Sequence, residues 1–408
     1  MNVLVLNCRA ASVHFAVVHA SNGHEHLAGV VRHLGARHAS LEWEHEGHRN
    51  EQRLDRVEHF EALRAVDALL TNLGLHDRML AVGHRVAHGG TKFSRAVRIT
   101  PEVVAKIRSC ATLAPHHNPA NLAGIAAAEE LFPGLPQVAV FDTAFHQTLP
   151  RHAFLYAVPF EWWEQHDVRR YGFHGTSHRW VARKAVEQLG LDPEDHAIVT
   201  AHLGYGCSLA AVRNGRSVDT TMGLTPSDGL VMDTRCGSID PAIIVHMKQT
   251  LDTDAASVME ALRTRSGLLG LSGLSHDMHT LQVAADQGHE RARLAIDKFC
   301  YAVAKSVMSM TVGLGRLDAL VFAGGIGENA VNVRAKVLKL LGVAGMKVDA
   351  VANARHGAGT DGRITASTKP MAAVIPTNEE LQIAIETAEV VREHHAPRTE
   401  RGPAQASA

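Results

Sequence analysis

VLVLNCRAASVHFAVV at 3–18 and AIVTAHLGYGCSLAAV at 197–212 share one plan: an apolar strand, a small polar turn and a second apolar strand. Residues 3–6 and 15–18, like 198–202 and 208–212, are aliphatic runs bounded by turn formers, and they read as two hairpins. Two hairpins of one plan in one chain point to a duplicated domain, with both turns at a common cleft. A chain of 408 residues is also too long for one ordinary core. Further buried strands are expected at 79–82, 138–141 and 320–323, and helices at 57–73, 119–132, 291–314 and 379–393. Strands alternating with helices make the class α/β.

Composition narrows the function. The formal charge is −1 and 46% of residues are hydrophobic. Charge near zero gives no attraction for nucleic acid or a membrane surface. No apolar run reaches the roughly 18 residues of a membrane span, and the N-terminus lacks a basic-then-apolar leader, so a soluble, cytoplasmic protein is expected. Five cysteines without a CxxC pair read as reduced thiols and argue against zinc. Most of the 28 histidines read as solvated. The tail 394–408, rich in Pro, Arg, Ser and Ala, is expected to be disordered.

The densest polar stretch is RRYGFHGTSH at 169–178. Arg, His, Ser and Thr hold phosphate oxygens, and glycine lets backbone N–H groups approach an anion. It reads as an anion or phosphoryl site, or else as a polar turn into a helix at about 179–189 with Thr176 or Ser177 as N-cap. Other polar turns follow strands, where α/β sheets bind ligands: GHRVAHGG at 83–90, VFDTAFHQ at 140–147 and GGIGEN at 324–329. The last is not GxGxxG, and no GxxxxGK[ST] loop occurs, which argues against dinucleotide and P-loop classes.

These motifs, with HLGYG at 202–206, GLTPSDGLVMDTRCGSIDP at 223–241, FAGGIGEN at 322–329 and PTNEE at 376–380, closely resemble the acetate kinase family in order and spacing from Val3 to about Val391. The resemblance implies two ribonuclease-H-like lobes of the acetate and sugar kinase, Hsp70 and actin superfamily. It places the first lobe at 1–146, completed by the helix at 379–393, and the nucleotide-binding lobe at 147–378. It implies reversible in-line transfer of the ATP γ-phosphoryl group to a short-chain carboxylate, giving an acyl phosphate and ADP. A carboxylate is already ionised at neutral pH, so positioning and charge stabilisation matter more than a strong base.

By the same resemblance the catalytic groups are Arg85 on the carboxylate, Arg235 facing it, His174 donating to the phosphoryl group and Asp142 orienting. His202, Gly204 and Gly206 would contact phosphate, and Asp277, Gly325, Ile326 and Asn329 the nucleoside. Asn7 and Glu379 would attend Mg²⁺ (or Mn²⁺), which keeps several waters; Glu379 also reads as an acidic residue in the first turn of a helix. The acid pocket would comprise Ala87, His116, Phe173 and Pro226. A homodimer is implied as well.

Several positions depart from the family pattern. Asn7-Cys8-Arg9-Ala10-Ala11-Ser12 stands where Asn-Cys-Gly-Ser-Ser-Ser is usual, and His14 where a lysine is usual. Tyr205 replaces asparagine, Asp233 glycine, Cys236 serine, Ser238 aspartate and His279 arginine. Ala87 stands for valine and His116 for leucine, which gives a roomier and more polar acid pocket. That change suggests an acid larger or more polar than acetate. The altered first turn and Asp233 suggest an alternative, a catalytically weakened kinase-like binding or regulatory protein.

Overall fold

Strand β1 (Asn2–Arg9) sends Leu4 and Leu6 to one face of a sheet and Val3 and Val5 to the other, all of them buried. Both faces are covered, so its sequence is a nearly continuous apolar run. The computed structural model describes residues 1–395. Antiparallel β2 (Ser12–His19) and β3 (Glu25–Arg32) follow, then β4 (Ser40–His45) and β5 (His48–Arg53). Next come β6 (Met79–Val86), the two-residue β7 (Val97–Arg98) and β8 (Gln137–Phe141). The order is β5-β4-β3-β2-β1-β6-β8-β7, with β1 and β6 parallel.

Helices His59–Asn72 and Asn118–Leu131 cover the Leu4 face through Leu63, Val66, Leu70 and Ala128. The C-terminal helix Glu379–His395 covers the Val3 face through Ile383, Ala384 and Ala388. Gly83 on β6 lets this helix lie close, because a Cβ there would strike the Thr387 hydroxyl.

The second sheet repeats the plan. Its strands are β9 (Ala197–Leu203), β10 (Cys207–Arg213), β11 (Arg216–Thr220), β12 (Ala319–Ala323) and β13 (Met371–Val374), in the order β11-β10-β9-β12-β13. β9 and β10 are antiparallel, whereas β12 runs parallel to β9 and β13. In each sheet an antiparallel meander reaches a central strand, and a strand parallel to it, β6 or β12, continues the sheet. β3-β2-β1-β6-β8 and β11-β10-β9-β12-β13 are one topology twice. The long helix Glu290–Leu314 packs Phe299, Val303 and Val307 under Val199, Ala201 and Leu203.

The chain divides into two units: Met1–Val86 with Arg95–Val140 and the helix from Glu380, and Ala87–Ser94 with Phe141–Glu379. The sequence reading instead set the boundary at 146 and counted 87–94 with the first lobe. Residues 84–86 continue β6 rather than forming a turn after it. The GGIGEN block is itself a helical turn, Gly324–Asn329. Of the tail expected to be disordered, residues 394 and 395 end the last helix, and 396–408 lie outside the described residues.

All five cysteines are free thiols. Cys8, Cys207 and Cys300 are buried, and burial pushes each thiol up to about 12. Cys236 alone among the five is partly exposed. No described helix is long and apolar enough to cross a membrane.

Most described histidines keep exposed surface, as expected, but His84, His88, His146, His178 and His196 are buried. His84 Nε2 lies 2.6 Å from Gln137 Oε1, yet desolvation lowers its pKa from 6.5 to about 4. Between those values the unfolded chain binds a proton that the folded chain refuses. Stability is therefore complete above pH 6.5 and lost as pH falls toward 4, by about 1.4 kcal/mol per group per pH unit. Thermal melts from pH 7.5 to 4.5 should show a falling Tm, and His84→Asn should make that fall shallower.

Candidate active site

The helix Gly175–Leu189 begins on a left-handed residue, His174, at φ 55° and ψ 25°. A non-glycine residue there costs about 1–2 kcal/mol, a strain that accompanies functional placement. Gly175 donates its N–H to the Asp142 carbonyl at 3.0 Å, and a Cβ on it would collide with that carbonyl. The helix tip is thereby seated on the turn after β8, and Asp142 is buried. His174, not Thr176 or Ser177, occupies the N-cap position. Those two residues lie buried inside the first turn, because the helix starts earlier than the expected 179.

Opposite this tip stands the β9–β10 hairpin. Strand alternation sends Val199, Ala201 and Leu203 into the core, so Thr200 and His202 project from the other face. Ser208 is paired across from His202 and shares its face. His178, one helical turn after His174, inserts between the strands. Its Nδ1 is 2.7 Å from Thr200 Oγ1, and its Nε2 is 2.8 Å from Ser208 Oγ. Ser208 Oγ also lies 2.8 Å from His174 Nδ1. Ser177 Oγ is 2.8 Å from His202 Nδ1 and accepts from Thr377 Oγ1 at 2.7 Å. The His174 and His202 rings stack at 4.3 Å with 28° between their planes.

Gly206 completes this side. A Cβ on it would sit 3.2 Å from His174 Nε2 and 3.4 Å from Arg235 Nη1, so an imidazole edge and a guanidinium converge on one point. Arg235 Nη1 donates to the Pro226 carbonyl at 2.9 Å. Burial lowers the Arg235 pKa while the neighbouring Asp233 opposes the shift, so the family-atypical carboxylate acts on the very arginine of the site. The two arginines of the 169–178 stretch do not join this cluster. Arg169 stacks 3.7 Å from the centroid of Phe154, and Arg170 Nη1 donates to the carbonyls of Thr220, Thr221 and Met222. They brace the backbone, so the anion reading of that stretch contracts to its histidines.

His202 and Gly204 border a cavity of about 760 Å³ within the second unit. Gly325, Ile326, Asn329 and Asp277 line it too, as the sequence reading grouped them. So do Tyr205, Asp233 and His279, the residues that depart from the family pattern. Tyr205 caps the three-residue hairpin loop and is 73% exposed. The carboxylate of Asp277 is engaged as the N-cap of helix Met278–Asp286, accepting from Thr280 N at 2.8 Å, which holds its pKa down.

A half-buried carboxylate and a buried guanidinium shape the 324–329 turn. Glu328 accepts from the N–H groups of Gly324 and Thr377. Arg334, with no exposed surface, donates to the carbonyls of Gly327, Glu328 and Asn353. Burial lowers its pKa to about 10, which leaves it charged at neutral pH.

In the first unit, Arg85 Nη1 donates to Asn7 Oδ1 at 3.2 Å, since β1 and β6 are parallel neighbours. His14 lies across from Asn7, and burial with Arg9, Arg32 and Arg85 lowers it to about 4, so the lysine's charge is not replaced there at neutral pH. Ala87 and Phe173 are buried in the second unit, whereas His116 is exposed in the first. Glu379 opens the last helix. The sequence reading placed Ser177, His178 and Thr377 in its motifs without individual roles in the site and missed Thr200, Ser208 and Arg334. The four-residue spacing of His174 and His178 and the two-residue spacing of Thr200 and His202 were legible signals.

The repeated sheet and the phosphoryl-type cluster beside a nucleoside-sized cavity define a two-lobed phosphotransferase. Residues 2–385 match the model of the Acetokinase family. The chain is 50% identical over 392 residues to acetate kinase of Deinococcus deserti, covering 96% of this chain and 98% of that one. Acetate kinase of Shewanella frigidimarina is 48% identical over 385 residues, covering 94% and 96%. A propionate kinase from Francisella tularensis superposes with a TM-score of 0.91 at 39% identity, covering 95% of this chain and 99% of that chain. The chain belongs to the acetate kinase family. It is a phosphotransferase with a carboxyl acceptor and ATP/ADP as the nucleotide pair, built on the acetate and sugar kinase, Hsp70 and actin fold.

Gly206→Ala would press a methyl against the His174 ring and Arg235 Nη1 and should lower kcat/KM for acyl-phosphate formation about tenfold, with little change in Tm. Arg334→Met strands three buried carbonyls and should cost about 3 kcal/mol or more in chemical denaturation.

Proposed function

We propose that the chain transfers the ATP γ-phosphoryl group reversibly and in line to a short-chain carboxylate larger or more polar than acetate. The observation that supports this most is the convergence of His174 Nε2 and Arg235 Nη1 over Gly206, beside a cavity that Ile326 and Gly325 leave wide enough for a nucleoside. In this reading His174 donates to the transferring phosphoryl group and Arg235 neutralises its developing charge. His202 with Gly204 contacts the nucleotide phosphates, while Asp277 and Asn329 serve the nucleoside side. Arg85 holds the carboxylate, and Asp142 orients the groups around the helix tip.

Among the described residues no cluster of three or more His, Cys, Asp or Glu side chains could hold a metal ion. By resemblance, Asn7 in the first unit and Glu379 in the second are the oxygen donors that would attend Mg²⁺ or Mn²⁺, a hard cation that keeps most of its water and would screen the nucleotide phosphate charges.

By resemblance to the family, Ala87 in place of valine enlarges an acid pocket and His116 in place of leucine adds polarity to it. A methylene in such a pocket is worth about 1–3 kcal/mol, enough to change the preferred acid. The enzyme is proposed to act as a homodimer, which light scattering would test against a monomer.

Hydroxamate-coupled turnover across acetate, propionate, butyrate and hydroxylated short acids, with Mg-ATP, decides the substrate. The expected optimum is an acid other than acetate; a clear acetate optimum overturns that part. No turnover with any acid, together with retained nucleotide binding, would favour the binding or regulatory reading that Ala10, Ala11, His14 and Asp233 suggest. Arg85→Ala should reduce kcat/KM for the acid about a hundredfold, the scale of a lost charge-assisted pair.

A further inference from the structure

His178 belongs to none of the roles above, yet both of its ring nitrogens are committed inside the second unit. The residue is buried, and burial holds its pKa well below 6.5, so its imidazole is neutral and carries one N–H. One N–H between two hydroxyls forces an order. If Nδ1 accepts from Thr200, then Nε2–H donates to Ser208. The Ser208 hydrogen is then left for His174 Nδ1, which accepts, so a neutral His174 carries its hydrogen on Nε2. Reversing the order makes His174 Nδ1 the donor and strips the hydrogen from Nε2 unless the ring becomes cationic.

The three contacts of 2.7 to 2.8 Å serve either order, so two other arguments select the first. A cationic His174 is disfavoured in the free protein, because Arg235 Nη1 and His174 Nε2 face the same point and His202 stacks 4.3 Å away. A neutral imidazole also intrinsically prefers its hydrogen on Nε2. The same arrangement serves the neighbouring ring: Thr377 donates to Ser177, whose hydroxyl faces His202 Nδ1.

We infer that His178 is a positioning residue: with Thr200 and Ser208 it fixes the proton order that makes neutral His174 an Nε2–H donor toward the Gly206 side of the site. The inference rests on the proposed role of His174. It adds that the donor is preset by a buried relay before any substrate binds, so no reorientation of hydrogens is needed at the moment of transfer.

The test is nitrogen-15 NMR of protein labelled in the histidine rings, at pH 7.5 without ligands, with His174 assigned by the signal lost in His174→Gln. The expected pattern is one protonated nitrogen, Nε2, at His174 and one, Nε2, at His178. An Nδ1–H tautomer or an imidazolium at His174 overturns the proposal. Ser208→Ala, a near-isosteric change, should convert His174 to a tautomer mixture and lower kcat about tenfold while KM for both substrates stays within about twofold. An unchanged tautomer in Ser208→Ala would show that the relay does not set it. The wild-type spectrum decides the matter even where that variant fails to fold. The spectra need no turnover, so absence of kinase activity would sink the proposed function without touching the tautomer result.

Discussion

The pairing of Ser208 with His202 across the β9–β10 hairpin is the constraint on which the second unit's chemistry depends. A sheet offers alternate residues to opposite faces, so one register puts Val199, Ala201 and Leu203 under the long helix and Thr200, His202 and Ser208 before the 175–189 helix. A slip of one residue would bury the hydroxyls in the apolar layer and turn valine and leucine toward the phosphoryl side. The short Gly204–Tyr205–Gly206 loop pins that register, and its second glycine admits both His174 and Arg235. Fold and site are therefore set by the same hydrogen bonds.

The fold was legible because buried strands are written as uninterrupted aliphatic runs. β1, β2, β9 and β10 were each located from such runs, and the shared hairpin plan exposed the duplication. β3, β4 and β5 escaped, since β5 reads His48-Arg49-Asn50-Glu51-Gln52-Arg53 and is exposed throughout, with no apolar signal to betray it. The start of the 175–189 helix was misjudged because a histidine in the left-handed region is a poor sequence cue for an N-cap. Tertiary contact with Asp142, not local propensity, fixes it.

The site was legible in part. Composition marked 169–178 as rich in anion-binding types, but composition does not say which side chains turn inward. Arg169 and Arg170 went to a ring face and to backbone carbonyls, while the histidines kept the site. The cavity likewise gathers retained and altered residues on one wall: Gly325 and Asn329 with Tyr205, Asp233 and His279. The departures from the family pattern fall at the first turn, in the cavity lining, at Cys236 and Ser238 and at Ala87 and His116, while His174 and His202 match it. Reaction chemistry and ligand preference are thus carried by different residues.

The distribution of thiols has a practical consequence. Four of the five are enclosed, and three of those are held far from ionisation by desolvation, so alkylating reagents meet thiol rather than thiolate there. Cys236 is the accessible one, and it adjoins Arg235 in the chain. Burial raises its pKa as well, so it too meets reagents mainly as thiol, but it is the one of the five that solvent reaches, and a spin label or fluorophore directed to it would report on the loop around Arg235.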